Sequence, residues 1–294
     1  MTVETKLICQ VCQKDKFRTH QQCQDFLVSQ NIFKIDECQN CGFRFTNPRP
    51  DESTLGDYYK SEQYVSHNDN SGGIINEIYK WVRRYTLGQK LRLINSVGSK
   101  RGRLLDVGCG TGLFLDVIKR GGWAIEGVEP DSFARSTAEE RLGQQIHETV
   151  GQLHKQQFDI ITMWHVLEHV PNPHKTIREL RDRLNDNGIL LLALPNSESY
   201  DAKHYGPHWA AYDVPRHLSH FTPASITRLA TEANFKSVTV KPMYFDSFYI
   251  SMLSTKYRDG KTNLLGSFFG GLKSNFHARR TGNYSSLIYI FQKQ

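Results

Sequence analysis

Two cysteine pairs in the N-terminal region have the spacing of a metal site. Cys9 and Cys12 form one C-x-x-C pair, Cys38 and Cys41 form another, and 25 residues separate the pairs. Two such turns can place four thiolates at the corners of a tetrahedron, the preferred geometry of structural zinc. We expect one structural zinc ion per chain, since four thiolates leave no open position for catalysis. Disulfides or unpaired thiols are the alternative, and Cys23 is a spare candidate ligand.

A glycine-rich run, DVGCGTG at residues 106–112, carries a second chemical signal. Glycines allow a sharp turn and a close approach of the backbone to a ligand. The spacing is G-x-G-x-G, whereas dinucleotide-binding loops have G-x-G-x-x-G. Asp106 at the start of the run would repel a pyrophosphate, and Glu129 stands where an acid can accept both hydroxyls of a ribose. The pattern therefore predicts a ligand with a ribose, a cationic amino-acid end and no phosphate, such as S-adenosylmethionine.

Three histidine-containing stretches offer a base for methyl transfer. Transfer from a sulfonium is an in-line displacement, so the enzyme mainly aligns donor and acceptor. A hydroxyl or acidic carbon acceptor also needs a base that titrates near neutral pH, and histidine is the usual choice. The stretches contain His165 and His169, His204 and His208, and His217 and His220. We take His169, His217 and His220 as candidate catalytic residues; a hydrogen-bonded structural loop is the alternative for residues 213–220.

The first histidine stretch also matches a second metal pattern. His165-x-x-Glu168-His169 is the H-x-x-E-H arrangement of inverted zinc proteases, which needs a helix that presents both histidines. Pro171 follows almost at once and residues 158–163 have the pattern of a strand, so we expect a strand-to-loop corner with little helix. We therefore expect His169 to pack beside the acceptor pocket or to line it, and not to bind catalytic zinc.

Several aromatic residues are candidate walls of the site. Trp209 and Tyr212 offer a stacking floor for a sugar or another flat acceptor, with packing of a lid as the alternative. Tyr58, Tyr59 and Tyr64 are candidates for closing over the cofactor, or else for packing at a domain junction.

Alternating strand and helix patterns must position these residues. The predicted strands are residues 104–107, 124–128, a faint 145–148, 158–163, 188–194, 236–240 and 285–291. Helical patterns lie between most of them, and Thr222-Pro223 opens one helix with a cap and a proline. Such alternation predicts an α/β fold with a seven-stranded, mostly parallel sheet and helices on both faces.

The chain is long enough for one large domain and a small one. It has 294 residues and a formal charge of +7, a weak hint of a nucleic-acid or phosphate-bearing partner. We divide it into a zinc ribbon (1–50), a helical bridge (51–100), a cofactor-binding core (101–242) and a cap insertion with the final strand (243–294). Strand-like runs at 26–28 and 32–35 fall in the ribbon. Neither a membrane span nor a secretory signal is visible, so we expect a cytoplasmic protein.

Four motifs together resemble class I S-adenosylmethionine-dependent methyltransferases. They are LLDVGCGTG (104–112), GVEP (127–130), FDII (158–161) and VLEHV (166–170). The resemblance implies a Rossmann-like fold and a cofactor site formed by Asp106, Gly108, Cys109, Gly110, Gly112, Glu129, Pro130, Trp164 and His165. In it, Asp106 anchors the amino group, Glu129 binds the ribose, and Cys109 fills the loop without acting as a nucleophile. The zinc ribbon resembles that of a bacterial subgroup, some of whose members modify sugars or glycan precursors.

Our leading hypothesis is a methyltransferase that acts on a small molecule, with a sugar or a cell-surface glycan precursor as one candidate acceptor. An RNA methyltransferase whose zinc ribbon binds the RNA phosphates is an alternative, although a nucleic-acid partner is not favoured. A non-catalytic cofactor-binding module is another alternative.

The insertion at 243–283 is rich in Phe and Tyr and has near-helical apolar spacing. Its composition favours a substrate cap or a homodimer interface over a membrane-surface helix.

Overall fold

The N-terminal ribbon is a small antiparallel sheet around the four paired cysteines. The computed structural model describes residues 3–59, 74–98, 101–153 and 156–294. The ribbon strands are β1 (Val3–Glu4), β2 (Phe17–Gln24), β3 (Ile32–Cys38), β4 (Arg44–Thr46) and β5 (Arg49–Pro50). Strands β2, β3 and β4 pair in that order, and β1 pairs with β5. The run at 26–28 forms a turn and not a strand, because the Asp25 carboxylate accepts the N–H groups of Leu27, Val28 and Ser29.

A long helix connects the ribbon to the rest of the chain. Helix α1 (Glu52–Leu55) continues into a 3-10 turn at Gly56–Tyr59, and α2 spans Ile74–Val97. Leu91 and Ile94 of α2 pack into the interior, as their helical spacing predicts. Trp81 and Tyr85 do not join them. The two rings stack on each other at the surface, with centroids 5.6 Å apart.

A six-stranded sheet forms the centre of the molecule. The remaining strands are β6 (Arg103–Val107), β7 (Ala124–Val128), β8 (Phe158–Trp164), β9 (Leu184–Pro195), β10 (Ser219–His220), β11 (Phe235–Pro242) and β12 (Ser286–Lys293). The central order is β11-β12-β9-β8-β6-β7. Strands β6 to β9 are parallel to one another, and β12 is antiparallel to both of its neighbours. The faint strand predicted at 145–148 is reduced to one bridge, between Val128 and His147, so the described sheet has six strands and not seven.

Helices cover both faces of this sheet, as the alternating pattern predicts. The helices after α2 are α3 (Leu113–Arg120), α4 (Ser132–Leu142), α5 (Pro173–Asp182), α6 (Tyr200–Tyr205), α7 (Pro223–Glu232), α8 (Asp246–Asp259) and α9 (Leu264–Thr281). Shorter 3-10 turns span Val150–Leu153, Leu167–His169, Gly206–His208 and Ala210–Tyr212. Adjacent residues of β6 enter opposite apolar clusters: Leu105 packs with Ile177 of α5, and Leu104 with Leu115 of α3. Within the described ranges, no helix has the length and apolar character needed to cross a membrane.

The ribbon shares strands and core with the central domain. Strand β10, from the segment between β9 and α7, pairs with β4 and extends the ribbon sheet to four strands. Phe43 and Phe45 of the ribbon pack in one cluster with Phe221. Asp25 and Arg216 form a fully buried ion pair across the same junction, with Oδ1 and Nη2 3.0 Å apart. The domain boundaries at residues 50, 100 and 242 stay a prediction.

Candidate active site

The glycine loop joins the end of β6 to the start of α3, and its two sides differ. Gly108, Gly110 and Gly112 all have positive φ, between 54° and 76°. A Cβ at Gly108 would lie 2.4 Å from Cγ2 of Val166, so this part of the loop is pressed against the end of β8. A Cβ at Gly110 would meet nothing within 4 Å. The loop therefore has one packed side and one open side where a ligand can approach the backbone.

Two acidic residues flank the loop at the carboxyl ends of neighbouring strands. Asp106 is 2% exposed and accepts a hydrogen bond from Oγ1 of Thr162 at 2.6 Å. Burial raises the pKa of Asp106 to about 7, against the opposing effects of Thr162 and of the Lys90 charge. Glu129 follows β7, and its Oε2 accepts the N–H of Gly110 at 2.8 Å. A strand side chain thus holds Asp106, and the loop backbone holds Glu129.

A cavity of about 230 Å³ opens beside the loop. Its walls come from the loop with its flanking residues and from α2: Arg83, Leu87, Lys90, Asp106, Gly108, Cys109, Thr111, Leu113, Phe114 and Trp164. Trp164 meets Phe114 edge to face, with ring centroids 5.3 Å apart. Four predicted cofactor residues therefore share one cavity with part of the helical bridge: Asp106, Gly108, Cys109 and Trp164.

Lys90 of α2 is a site residue that the sequence reasoning missed. Its Nζ lies 3.8 Å from the centroid of the Trp164 ring, and its charge acts on Asp106. Burial lowers the pKa of Lys90 to about 8, although Asp106 and Asp246 act in the opposite direction. The available signal was a lysine beside the apolar face that Leu87, Leu91 and Ile94 form on α2, since a lysine among apolar residues needs an acidic partner.

His165 occupies a strained position immediately after β8. Its φ is 57°, in the left-handed region that is rare for a side chain with a Cβ. Nε2 lies 3.2 Å from Oδ2 of Asp246 and Nδ1 lies 3.4 Å from Oε1 of Glu168. Burial lowers the pKa of His165, but the two carboxylates outweigh it and raise the pKa to about 10. His165 is therefore a charged imidazolium at neutral pH, tied to the N-terminus of α8 through Asp246, a contact that no sequence motif indicated.

The H-x-x-E-H pattern does not lie on a helix that could present both histidines to a metal. Only a 3-10 turn, Leu167–His169, follows β8, which agrees with the predicted corner. The donor atoms within 4.8 Å of one another belong to Glu168, His169 and His217, without His165.

The structure brings two of the three catalytic candidates together. The rings of His169 and His217 lie edge to face, with centroids 4.6 Å apart. Nδ1 of His169 is 2.9 Å from the hydroxyl of Tyr59 and 3.2 Å from the Arg216 carbonyl, and Nδ1 of His217 is 2.9 Å from the Ala211 carbonyl. Burial, and next the neighbouring His217, lower the pKa of His169 to about 4. At neutral pH His169 is therefore an uncharged imidazole, and a weaker base than the near-neutral one that the sequence predicts.

His220, the third candidate, lies at the junction with the ribbon. It belongs to β10, is buried, and places Nε2 3.0 Å from Oγ1 of Thr46. Burial lowers the pKa of His220 well below its usual value. This geometry is that of a structural residue. His204 stacks on Tyr200, with centroids 5.6 Å apart, and His208 lies beside a ribbon phenylalanine.

The candidate aromatic walls have other positions. Trp209 and Tyr212 are both buried, and Nε1 of Trp209 donates to Asp201, so neither ring forms a floor for a substrate. Tyr58 is also buried, and Tyr59 contacts His169 instead of the cavity. Tyr64 lies outside the described residues.

The four paired cysteines converge as their spacing predicts. The Sγ atoms of Cys9 and Cys41, and those of Cys12 and Cys38, are 3.5 Å apart, and all four lie within 4.8 Å of one another. A disulfide needs about 2.05 Å, whereas zinc with bonds of about 2.3 Å places tetrahedral sulfurs about 3.8 Å apart. The N–H of Val11 also points at Cys9 Sγ, at 3.5 Å. The donor set fits a zinc ion.

Comparison with known families and curated proteins gives consistent matches. The sequence model of a family described as a methyltransferase domain matches residues 80–240. The ubiquinone biosynthesis O-methyltransferase of Actinobacillus pleuropneumoniae serotype 5b is 27% identical over 163 residues, which are 49% of this chain and 70% of that protein. The protein of the same description from Azoarcus sp. (strain BH72) is 25% identical over 195 residues, 61% of this chain and 78% of its own length.

Solved structures show the same fold at low sequence identity. The magnesium protoporphyrin IX methyltransferase of Synechocystis PCC 6803, with bound S-adenosylhomocysteine, has a TM-score of 0.54 and 14% identity. That match covers 83% of this chain and all of the other. The cyclopropane synthase MmaA2 from Mycobacterium tuberculosis has a TM-score of 0.50 and 12% identity, with 70% of this chain and 83% of the other covered.

Proposed function

The chain belongs to the class I S-adenosylmethionine-dependent methyltransferases, and we propose that it methylates a hydroxyl group of a small molecule. The observation that carries this proposal is the contact between His169 and His217, whose ring centroids lie 4.6 Å apart just beyond the carboxyl end of β8. The similarity to two O-methyltransferases supports oxygen as the acceptor atom. A sugar or a glycan precursor remains one candidate within this class.

We assign the cofactor contacts to the 230 Å³ cavity, which Asp106 and Lys90 line, and to Glu129 and Gly110 next to its loop. S-adenosylmethionine supplies an activated methyl group as a sulfonium. The Asp106 carboxylate would bind its ammonium group, and Glu129 its ribose. Lys90 lines the same cavity as Asp106, so its ammonium group is suited to the cofactor carboxylate. Gly110 leaves the loop backbone open on the ligand side.

We assign the proton transfer to His169. Its Nδ1 is 3.2 Å from the Arg216 carbonyl; donation there leaves Nε2 as the atom that accepts the hydroxyl proton. Tyr59, 2.9 Å from the same Nδ1, fixes the orientation of the ring. His165 is the charged partner of Asp246 and Glu168, so it orients the corner after β8 and does not act as a base. His220 we assign to the ribbon junction.

A labelled-methyl assay tests the proposal. Radiolabelled S-adenosylmethionine is incubated with phenols, catechols, sugars and nucleotide sugars, and the bond to the label in each product is determined. The variant His169→Gln should lose kcat while it keeps affinity for S-adenosylhomocysteine; His174→Gln on α5 is the matched control and should keep both. Label on nitrogen or carbon, or in RNA in place of the small molecules, would overturn the acceptor assignment. Cofactor binding with no turnover on any acceptor would favour the non-catalytic module.

We also propose that the ribbon holds one structural zinc ion on Cys9, Cys12, Cys38 and Cys41. Sulfur separations of 3.5 Å and the absence of a disulfide among the described cysteines support this assignment. The ion would cross-link the segment before β2 to the turn after β3 at one end of the ribbon sheet. The division into four segments and the cytoplasmic location stay predictions.

A further inference from the structure

In helix α9 the small residues are buried and the large apolar residues are exposed, the reverse of the usual arrangement in an amphipathic helix. It packs on α8 with small residues and points large apolar side chains outward. The buried positions are Ser267, Gly271, Ser274 and Ala278. At Gly271 a Cβ would lie 2.6 Å from the ring of Phe248, so the two helices are in close contact. The exposed apolar residues include Leu265 at 75% and Phe269 at 65% exposure.

The exposed apolar residues form one continuous stripe. The outer stripe, as we name it, consists of Leu265, Phe268, Phe269, Leu272 and Phe276. Their positions are i, i+3, i+4, i+7 and i+11, which lie on one face of an α-helix. An 18-residue helix is about 27 Å long, and the stripe extends along most of it. A contiguous apolar face of this kind marks an interaction surface, whereas single exposed apolar residues do not.

The charges around the outer stripe all have the same sign. From residue 260 to the last residue the sequence contains no Asp or Glu. Lys261 precedes α9, and Lys273, Arg279 and Arg280 lie on it; all four are exposed. The last acidic residue, Asp259, pairs with Arg258. The surface therefore combines bulky apolar side chains with flanking cations, and its partner must be both apolar and anionic.

We propose that the outer stripe docks this protein on an anionic lipid bilayer. An apolar face flanked by Lys and Arg lies in the plane of the membrane interface, with aromatic side chains below the headgroups and cations on the phosphates. A second copy of the chain is a poorer partner. In a two-fold symmetric dimer each helix meets the same surface of its mate, so four cations would face four cations with no acid on either helix.

Vesicle flotation tests this docking directly. Wild-type protein is mixed with vesicles of phosphatidylcholine alone or of phosphatidylcholine with phosphatidylglycerol, at low and high salt. We expect binding to the anionic vesicles only, weakened by salt. The double variant Phe268→Ser/Phe269→Ser should reduce binding by about tenfold or more, because both rings leave the interface. Arg279→Gln/Arg280→Gln should reduce it by about tenfold and flatten the salt dependence.

Matched controls separate docking from general surface effects. Phe133→Ser on α4 removes an equally exposed phenylalanine (73%), and Lys236→Gln/Lys241→Gln removes two exposed cations from β11. Both should bind vesicles as the wild type does, and all variants should keep the wild-type melting midpoint. The proposal fails if wild type does not float with anionic vesicles, or if the stripe and control variants bind alike. It also fails if the stripe variants only abolish a dimer seen by light scattering; none of these readouts depends on methyl transfer.

Discussion

The glycine-loop region and the ribbon are stabilised in different ways. The loop follows β6, whose apolar side chains Leu104 and Leu105 are fully buried on opposite faces of the sheet. The ribbon has few such residues, and those it has, Phe43 and Ile35 among them, pack in clusters with residues of the central domain. Its stability therefore rests on the cysteine cluster and on the junction. Changes in the ribbon should act first on folding, whereas changes around the loop should act first on the ligand.

Removal of zinc is the strongest test of this difference. Structural zinc contributes on the order of 10 kcal/mol to the folding of small domains. Chelation, or Cys9→Ser, should unfold the ribbon and expose the phenylalanines at its junction, measured as a lower melting midpoint and a loss of about one zinc per chain. Cys23→Ala is the matched control, since Cys23 is buried in the same sheet outside the cluster. A metal-free protein with the wild-type melting midpoint would refute the structural zinc.

The buried ion pair at the junction should give the next largest effect. Arg216 is 1% exposed and bonds to both Asp25 and Asp213. Arg216→Met would leave Asp25 as a buried charge without its cation, which typically costs about 3–5 kcal/mol. Urea unfolding measures the loss. The double variant Asp25→Asn/Arg216→Met should recover part of the lost free energy of unfolding, because the unpaired charge is gone. Equal losses in the single and double variants would show that the unpaired charge of Asp25 is not the cause.

The sequence could predict the features that depend on local spacing, but not those that depend on contacts between distant segments. The loop, the strands and the cysteine pairs depend on local spacing, and the structure has them close to the predicted positions. Lys90 and Asp246 reach the site from distant helices, and no local pattern relates them to Asp106 or His165. The sequence also could not predict which aromatic residues are buried. Trp209 lies in the interior, but a tryptophan on a substrate floor would be the same residue type. Composition identifies groups that can do chemistry, but tertiary packing decides which of them face the ligand.

Two glycines of one loop allow a matched comparison of folding and binding. Gly108 and Gly110 both have positive φ, so alanine at either costs about 1–2 kcal/mol in backbone strain. Only Gly108→Ala also drives a Cβ to 2.4 Å from Val166, adding about 1–3 kcal/mol of overpacking. Gly108→Ala should therefore lower stability more, and Gly110→Ala should mainly weaken S-adenosylhomocysteine binding on the open side. Denaturant unfolding and calorimetry separate the two; the reverse ranking would contradict the assigned open side.

The smallest effect should be a pH dependence of cofactor affinity through Asp106. Burial raises the pKa of this carboxyl to about 7, and only the ionised form attracts an ammonium group. The affinity for S-adenosylhomocysteine should thus be highest between about pH 7 and pH 8, because Lys90 loses its charge above its own pKa of about 8. Below this range the affinity should fall by at most about tenfold, or 1.4 kcal/mol, per pH unit. Binding near pH 6 should also release a proton, which calorimetry in buffers of different ionisation enthalpy detects. Asp106→Asn should bind weakly and lose this pH dependence, because the amide stays neutral throughout. An affinity that stays level from pH 8 to pH 5.5 in the wild type would place the cofactor ammonium elsewhere.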